Sequence, residues 1–208
     1  MKGLLEMKVY LKSYLCPHCE TKCSFYGTGV GNSIALYCNS CKKGVYFQLA
    51  DNYNLPDNEE MAHISDDAVV DSYPRIVVTA NPAIPKDIAD DFEEANMCIS
   101  VKAKKATVTM CRRVLQNTCI SKGCNPKTDL VSQIDELEAK RIINPSMKDV
   151  AHTIRKIGNW GAHPQDDPLK DVTLDDAAEL LKFTSEFLDE VFVRPARLDA
   201  LRKKKGIK

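Results

Sequence analysis

Residues 148–164 read K-D-V-A-H-T-I-R-K-I-G-N-W-G-A-H-P, and this stretch organises the prediction of the fold. At about 100° per residue, its apolar side chains fall on one side of a helix. The other side carries one polar stripe: His152, Arg155, Asn159 and His163. Asn144 is a suitable N-cap, Pro145 suits the first helical position, and Pro164 is a suitable stop. The stretch therefore predicts an amphipathic helix with a single polar face.

Two glycines interrupt this predicted helix, Gly158 and Gly161. Each costs about 1 kcal/mol relative to alanine in a helix interior. Two explanations are open at this point: the helix loosens there, or a neighbouring element packs closely against it.

Working outward from this helix, four more helices are predicted from apolar stripes and capping residues. The first begins at Pro85, the second ends by Gly123, and the third contains Leu130 and Ile134. Thr173 is a capping residue for the last and longest stripe, which Arg194-Pro195 interrupts. We predict a helical bundle over residues 85–193, followed by a basic tail over 194–208.

Towards the N-terminus, Cys16-Pro-His-Cys19 and Cys38-Asn-Ser-Cys41 are two C-x-x-C motifs with the spacing of a four-cysteine zinc site. Each motif places two thiolates on one tight turn, and two turns complete a tetrahedron around the metal. Four thiolates leave no open position for catalytic water, so the predicted Zn²⁺ is structural. Cys23 and His18 are spare candidate ligands.

Segments around these motifs look like strands, at residues 8–15, 33–37 and 45–49. Gly27, Gly29 and Gly31 are expected to form the hairpin between the two motifs. We therefore predict a zinc ribbon over residues 1–50. Residues 51–84 are acidic, contain several prolines and are expected to be a connector, with His63 on its surface.

Composition describes a globular chain of 208 residues with zero formal net charge, so overall charge indicates no partner. No apolar run reaches the ~20 residues that span a bilayer, and no signal peptide is recognisable. Nine cysteines together with C-x-x-C spacing favour metal binding in a reducing compartment. We expect a cytoplasmic protein with no membrane contact.

Charge is nevertheless unevenly distributed along the chain. The tail over residues 194–208 holds seven basic residues and one acidic residue. Basic side chains at both ends and on the second helix are candidate phosphate contacts. These are Lys42, Lys43, Arg112, Arg113, Lys203, Lys204 and Lys205. The alternative is a solvated surface with ordinary ion pairs.

Three motifs in the helical region resemble a known bacterial family. They are P-x-x-I-x-x-D-x-x-E-A from Pro85, the Arg112-Arg113 motif that follows Ala106, and I-R-K-I-G-N-W-G-A-H-P from Ile154. Together they resemble a domain of unknown function that is often appended to restriction-enzyme subunits, sometimes behind a zinc ribbon. The resemblance covers about residues 80–193.

That family is similar to the HEPN superfamily of helical bundles, many of which are homodimeric, metal-independent ribonucleases. The resemblance implies an α+β chain, with a zinc ribbon followed by an all-α HEPN-like bundle, and a homodimer. Arg155, Asn159 and His163 become the candidate catalytic residues. Arg155 and His163 are separated by seven residues, more than the four to six of the HEPN motif. They lie about 12 Å apart along a helix.

Three functions follow as hypotheses. The first is a nucleic-acid-associated defence protein that binds RNA, DNA or a partner effector protein. The second is a HEPN-type endoribonuclease that uses His163 with Arg155 or Arg112. The third is a non-catalytic adaptor or phage-encoded inhibitor. The polar stripe also has a structural interpretation, in which Asn159 and His163 hydrogen-bond a neighbouring helix end or lie at a dimer interface.

Overall fold

The structure is a computed structural model that describes residues 7–53, 55, 61–75, 78–159 and 172–206, apart from the side chain of Asn159. It divides into two compact units, Met1–Val77 and Val78–Lys208. The first unit contains β-strands and the second contains α-helices, so the chain is an α+β protein. Each unit has its own buried apolar core.

The first unit, here called the sheet unit, is built on one six-stranded sheet with the order β5-β1-β2-β3-β4-β6. The strands are β1 (Met7–Leu15), β2 (Lys22–Val30), β3 (Ser33–Cys38), β4 (Gly44–Leu49), β5 (Ala62–Ile64) and β6 (Val69–Tyr73). All neighbours are antiparallel except β5, which pairs with β1 in parallel.

Buried and exposed residues alternate along the strands, because successive side chains of a strand point to opposite faces of the sheet. The sheet therefore has one buried face. The inner face holds Phe25 and Phe47, whose ring centroids lie 5.3 Å apart in an edge-to-face contact. Tyr14 joins them, with its ring centroid 5.1 Å from that of Phe47. An irregularity in β1 between Leu11 and Tyr14 shifts the register and brings Tyr14 to this inner side.

The sheet is larger than the three predicted strands. The segment expected to be a glycine hairpin is strand β2, and only Gly31, with a φ of 61°, lies in the turn. Gly27 is needed inside β2 because a Cβ there would come within 2.2 Å of the carbonyl oxygen of Ala35. The acidic segment expected to be a connector also contributes β5 and β6 to the two edges of the sheet.

The second unit, here called the helical unit, contains the five predicted helices, and the predicted basic tail forms a sixth. They are α1 (Lys86–Ser100), α2 (Lys104–Ser121), α3 (Leu130–Ala139), α4 (Pro145–Asn159), α5 (Leu174–Leu188) and α6 (Arg194–Lys205). Helix α2 lies at the centre, in contact with α1, α3, α4 and α5. The core of the helical unit includes Leu115, Ile134 and Phe187, all fully buried.

The predicted capping residues begin the helices as expected. The backbone N–H of Met147 donates to Oδ1 of Asn144 at 2.9 Å, one turn into α4. Thr173 and Asp176 form a reciprocal capping box at the start of α5. The hydroxyl of Thr173 lowers the pKa of the Asp176 carboxyl by hydrogen bonding.

Where Arg194-Pro195 was expected to interrupt the helix, the chain remains helical. A short π-helical segment, Asp189–Val193, joins α5 directly to α6. Pro195 has no N–H to donate back to the preceding turn, and π-type turns are one way to accommodate such a break. Helix α6 has no buried residue.

Among the described residues, no helix combines the length and the apolarity needed to cross a bilayer.

Candidate metal centre

The two C-x-x-C motifs have the same backbone geometry, although their intervening residues differ. In each, the N–H of the residue after the second cysteine donates to the carbonyl of the first. These bonds join Glu20 to Cys16 and Lys42 to Cys38, each at 2.9 Å. Glu20 and Lys42 both take left-handed backbone conformations, with φ of 53° and 63°. The first turn follows β1, and the second begins at the last residue of β3. The sheet therefore holds the two motifs against each other.

The four predicted ligands converge. The Sγ atoms of Cys16, Cys19, Cys38 and Cys41 all lie within 4.8 Å of one another. Cys16 and Cys41 are 3.8 Å apart, and Cys19 and Cys38 are 3.9 Å apart, sulfur to sulfur. Four sulfurs bound tetrahedrally at ~2.3 Å to one ion would lie about 3.8 Å apart. The arrangement is therefore compatible with a metal site of four thiolates.

Backbone amides support the two most buried sulfurs. The N–H of His18 donates to Sγ of Cys16 and that of Cys41 to Sγ of Cys38, each at 3.4 Å. Such outer hydrogen bonds offset thiolate charge and fix the orientation of the ligands. Sequence spacing identified the thiols but not these donors, because they come from the backbone geometry of the turns.

The pKa values of the two buried thiols, Cys16 and Cys38, are shifted in opposite directions. Burial raises the pKa of Cys16 to about 12. Burial acts in the same direction on Cys38, but hydrogen bonds from the Cys41 backbone and the Cys23 thiol together lower its pKa to about 6. A metal ion must displace the remaining protons, since the thiolate is the ligand form.

The two spare candidates lie close to this cluster without belonging to it. Nε2 of His18 lies 3.0 Å from the carbonyl oxygen of Gly44, so its ring contacts the chain just after the second motif. Sγ of Cys23 lies 3.2 Å from that of Cys38. The group of four that fits one ion contains neither residue.

The predicted phosphate contacts are placed in both units. Lys42 and Lys43 are exposed beside the second motif. Lys203, Lys204 and Lys205 are exposed on the last turn of α6, where lysines also complement the helix dipole.

The two arginines of α2 make contacts within the helical unit. Nε of Arg113 contacts Oδ1 of Asp91 at 2.8 Å. Nη1 of Arg112 donates to Gln116 at 3.3 Å, and its stem lies against Gly158.

The predicted catalytic stripe falls only partly within the described residues. Arg155 is half-buried on α4, and its Nε has no hydrogen-bond acceptor among the described residues. Asn159 is the last residue of α4. The side chain of Asn159 and all of His163 lie outside the described residues. The ribonuclease hypothesis, which requires His163, remains a prediction.

A polar network that sequence reasoning did not identify surrounds the start of this stripe. Nε2 of His152 lies 3.1 Å from Oδ1 of Asp135 on α3, and Nζ of Lys148 lies 2.9 Å from the same oxygen. Hydrogen bonds from these two residues lower the pKa of Asp135, that of Lys148 contributing most. The network joins α3 to α4, so this part of the polar face has a structural role.

The fold and the site together define an α+β protein with a four-thiol cluster in its sheet and a separate helical unit. The chain belongs to a family described as Domain of unknown function (DUF4145), whose model matches residues 93–204, just over half of the chain. This confirms the predicted membership of a domain-of-unknown-function family. No curated protein and no solved structure matched the chain.

Proposed function

We propose that this chain is a zinc-stabilised nucleic-acid-binding protein with a HEPN-like helical unit that forms homodimers and acts in defence against foreign nucleic acid. The convergence of four cysteine sulfurs within 4.8 Å supports the zinc component. Zn²⁺ accepts four thiolates in a tetrahedron and has no redox chemistry of its own. Cys16, Cys19, Cys38 and Cys41 would hold it, and its contribution would be to fold stability.

The zinc component is tested by metal content and by cobalt substitution. Purified protein should contain one zinc per chain, and Co²⁺ should produce the absorption spectrum of a tetrahedral thiolate site. Cys16→Ser should lose both signals. Cys23→Ser is the matched control, because Cys23 lies beside the cluster and outside the group of four. Metal-free wild-type protein, or equal metal loss in both variants, would contradict this ligand set.

Basic residues of the sheet unit support the nucleic-acid component. Lysines lie exposed on β1, on β2 and beside the second C-x-x-C motif, and within the described residues none of them forms an ion pair. They are Lys8, Lys12, Lys22, Lys42 and Lys43. Strands β1 to β4 contain no acidic residue. Lysines without a carboxylate partner are free to neutralise phosphates and release counterions.

This component is tested by measuring affinity for RNA and DNA across a salt series. Binding should weaken linearly in log–log form as salt rises, with a slope set by the number of phosphates contacted. Replacing Lys8, Lys12 and Lys22 together by Gln should reduce that slope. Lys86→Gln is the control, because Nζ of Lys86 already lies 2.8 Å from Asp90. The absence of salt-dependent binding to either nucleic acid would contradict the proposal.

The HEPN-like, dimeric and defence components rest on the sequence resemblance alone. The helical unit has a largely apolar core around α2, and the amphipathic helix α4 adds apolar residues to that core, which suits this assignment. Analytical ultracentrifugation should give a mass of twice 23.2 kDa. A monomer at all concentrations would remove the dimer from the proposal.

A further inference from the structure

The outer face of the sheet carries a concentration of tyrosines. Phe25, Phe47 and their neighbours occupy the inner face, so the alternate positions of the strands lie on the outer face. Five of the chain's seven tyrosines are found there, and we call this surface the tyrosine face. Its members are Tyr10, Tyr26, Tyr37, Tyr46 and Tyr73.

Strand register aligns these rings in two adjacent rows. In the first row, Tyr10 is opposite Tyr26, which is opposite Tyr37. In the second row, Tyr46 is opposite Tyr73. The two rows are diagonal neighbours, because Tyr37 is opposite Gly44 and Tyr46 lies two residues after Gly44 on the same face.

The rings are accessible and several are held in place. Four are substantially exposed, at 46% for Tyr26, 52% for Tyr37, 44% for Tyr46 and 71% for Tyr73. The rings of Tyr26 and Tyr37 lie 6.2 Å apart and tilted by 42°. The hydroxyl of Tyr46 donates to Oγ of Ser33 at 2.8 Å.

Positive charge borders one side of this surface. Lys8 and Lys12 lie two residues on either side of Tyr10 in β1, and Lys22 lies on the outer side of β2. Asp71 at the opposite edge is neutralised by Arg75 at 2.9 Å. Exposed rings next to lysines that form no ion pair within the described part of the chain therefore suit an anionic polymer that carries aromatic groups.

We propose that the tyrosine face binds single-stranded nucleic acid, with bases stacked on its rings and phosphates beside Lys8, Lys12 and Lys22. This inference rests on the proposed nucleic-acid binding and specifies its substrate. In a duplex the bases are stacked on each other, whereas in a single strand they are free to stack on aromatic side chains. Stacking is tolerant of sequence because every base presents a π face, so little base preference is expected.

The test compares single strands with duplexes on the full chain. Fluorescence anisotropy would measure binding of labelled oligo(dT), oligo(U) and a duplex of equal length. Wild-type protein should bind both single strands about tenfold or more tightly than the duplex. The double variant Tyr26→Ala/Tyr37→Ala should bind single strands about 25-fold or more weakly, since each lost stack costs at least about fivefold.

The matched control is Tyr26→Phe/Tyr37→Phe, which retains both rings and should bind like the wild type. Metal content and circular dichroism would establish that the alanine variant is folded. Equal affinity for single strands and duplex, or an unaffected alanine variant with salt-dependent binding intact, would overturn this inference and leave the proposed function standing. No oligonucleotide binding at low salt would overturn both, and is the result expected if the face binds a protein instead.

Discussion

At the residue scale, the nine cysteines separate into groups that spacing only partly predicts. The C-x-x-C motifs predicted the cluster of four because the ligand geometry is local to two short turns. Cys111 and Cys119 have no such spacing and are buried in the helical core. Burial raises the pKa of Cys111 to about 11 and that of Cys119 to about 12.

These two thiols should resist alkylation in the folded protein. The thiolate is the reactive form, and at neutral pH a thiol with so high a pKa is almost entirely protonated. Iodoacetamide labelling with peptide mass mapping should modify Cys111 and Cys119 only after denaturation. Half-buried Cys98 is the internal comparison and should react first. Rapid labelling of Cys111 in native protein would contradict its placement in the core.

The adjacent arginines of α2 show where the sequence was insufficient. Arg112 and Arg113 were candidate phosphate contacts with a solvated surface and ordinary ion pairs as the alternative, and nothing in the local pattern distinguished the two. In the structure Arg113 has an ion-pair partner in Asp91, a carboxylate only 8% exposed that lies on α1, 22 residues before Arg113. It also accepts a hydrogen bond of 2.6 Å from Asn117.

Removing Arg113 should therefore reduce stability. In Arg113→Ala, Asp91 would keep the hydrogen bond from Asn117 and lose its cationic partner. The expected loss in the free energy of unfolding is only about 1–2 kcal/mol, because solvent around the largely exposed guanidinium already weakens the pair. Urea denaturation would measure the change. Arg197→Ala on exposed helix α6 removes the same charge and should stay within about 0.5 kcal/mol of wild type. Equal effects of the two substitutions would show that the Asp91 contact contributes nothing specific.

At the scale of elements, the helices were easier to predict than the strands. Apolar periodicity and capping residues such as Asn144 and Thr173 are local signals, and they predicted the positions of α1 to α5. Strand β2 was missed because its glycines are usual in turns, and only contact with β3 explains their need. The tyrosine face was also missed, although the alternation in Val45-Tyr46-Phe47 is a local signal for it.

Gly158 decides between the two explanations left open for the glycines of α4. A Cβ at this position would lie 2.5 Å from Cβ of Arg112, so α2 packs closely against it. Gly161 lies outside the described residues. Close packing, rather than loosening, therefore accounts for the glycine at position 158.

Gly158→Ala should destabilise the protein although alanine favours helices. Overpacking costs about 1–3 kcal/mol and the propensity gain returns at most about 1 kcal/mol. Thermal or urea denaturation should show a net loss. Gly44→Ala is the matched control, because its Cβ would meet only the ring of Tyr37, at 3.6 Å. A more stable Gly158→Ala protein would refute the close approach of α2 and α4.

At the scale of the whole molecule, the division into two units was foreseeable, but its boundary was not. The sheet unit continues to Val77 because β5 and β6 add to the edges of a sheet predicted to end near residue 50. Edge strands formed by a polar, acidic segment carry little apolar alternation. The positions of β5 and β6 depend on pairing with β1 and β4. That pairing cannot be inferred from the residues of the segment alone.

Metal removal should affect the two units unequally. A chelator such as EDTA should unfold the sheet unit, because four unliganded thiols would remain where the proposed Zn²⁺ holds two turns together. The helical unit has its own core and should retain its α-helical circular dichroism. Loss of both signals in one transition would show instead that the units unfold together, and no change would show that the metal is dispensable.

The order of the units along the chain has a consequence for biosynthesis. All four thiols and the last strand of the sheet precede α1, so a ribosome completes the sheet unit first. At ordinary translation speeds the rest of the polypeptide needs on the order of ten seconds more. The nascent chain can therefore capture the proposed Zn²⁺ before any α-helix has emerged, and a shortage of free zinc would then act on the partly synthesised protein.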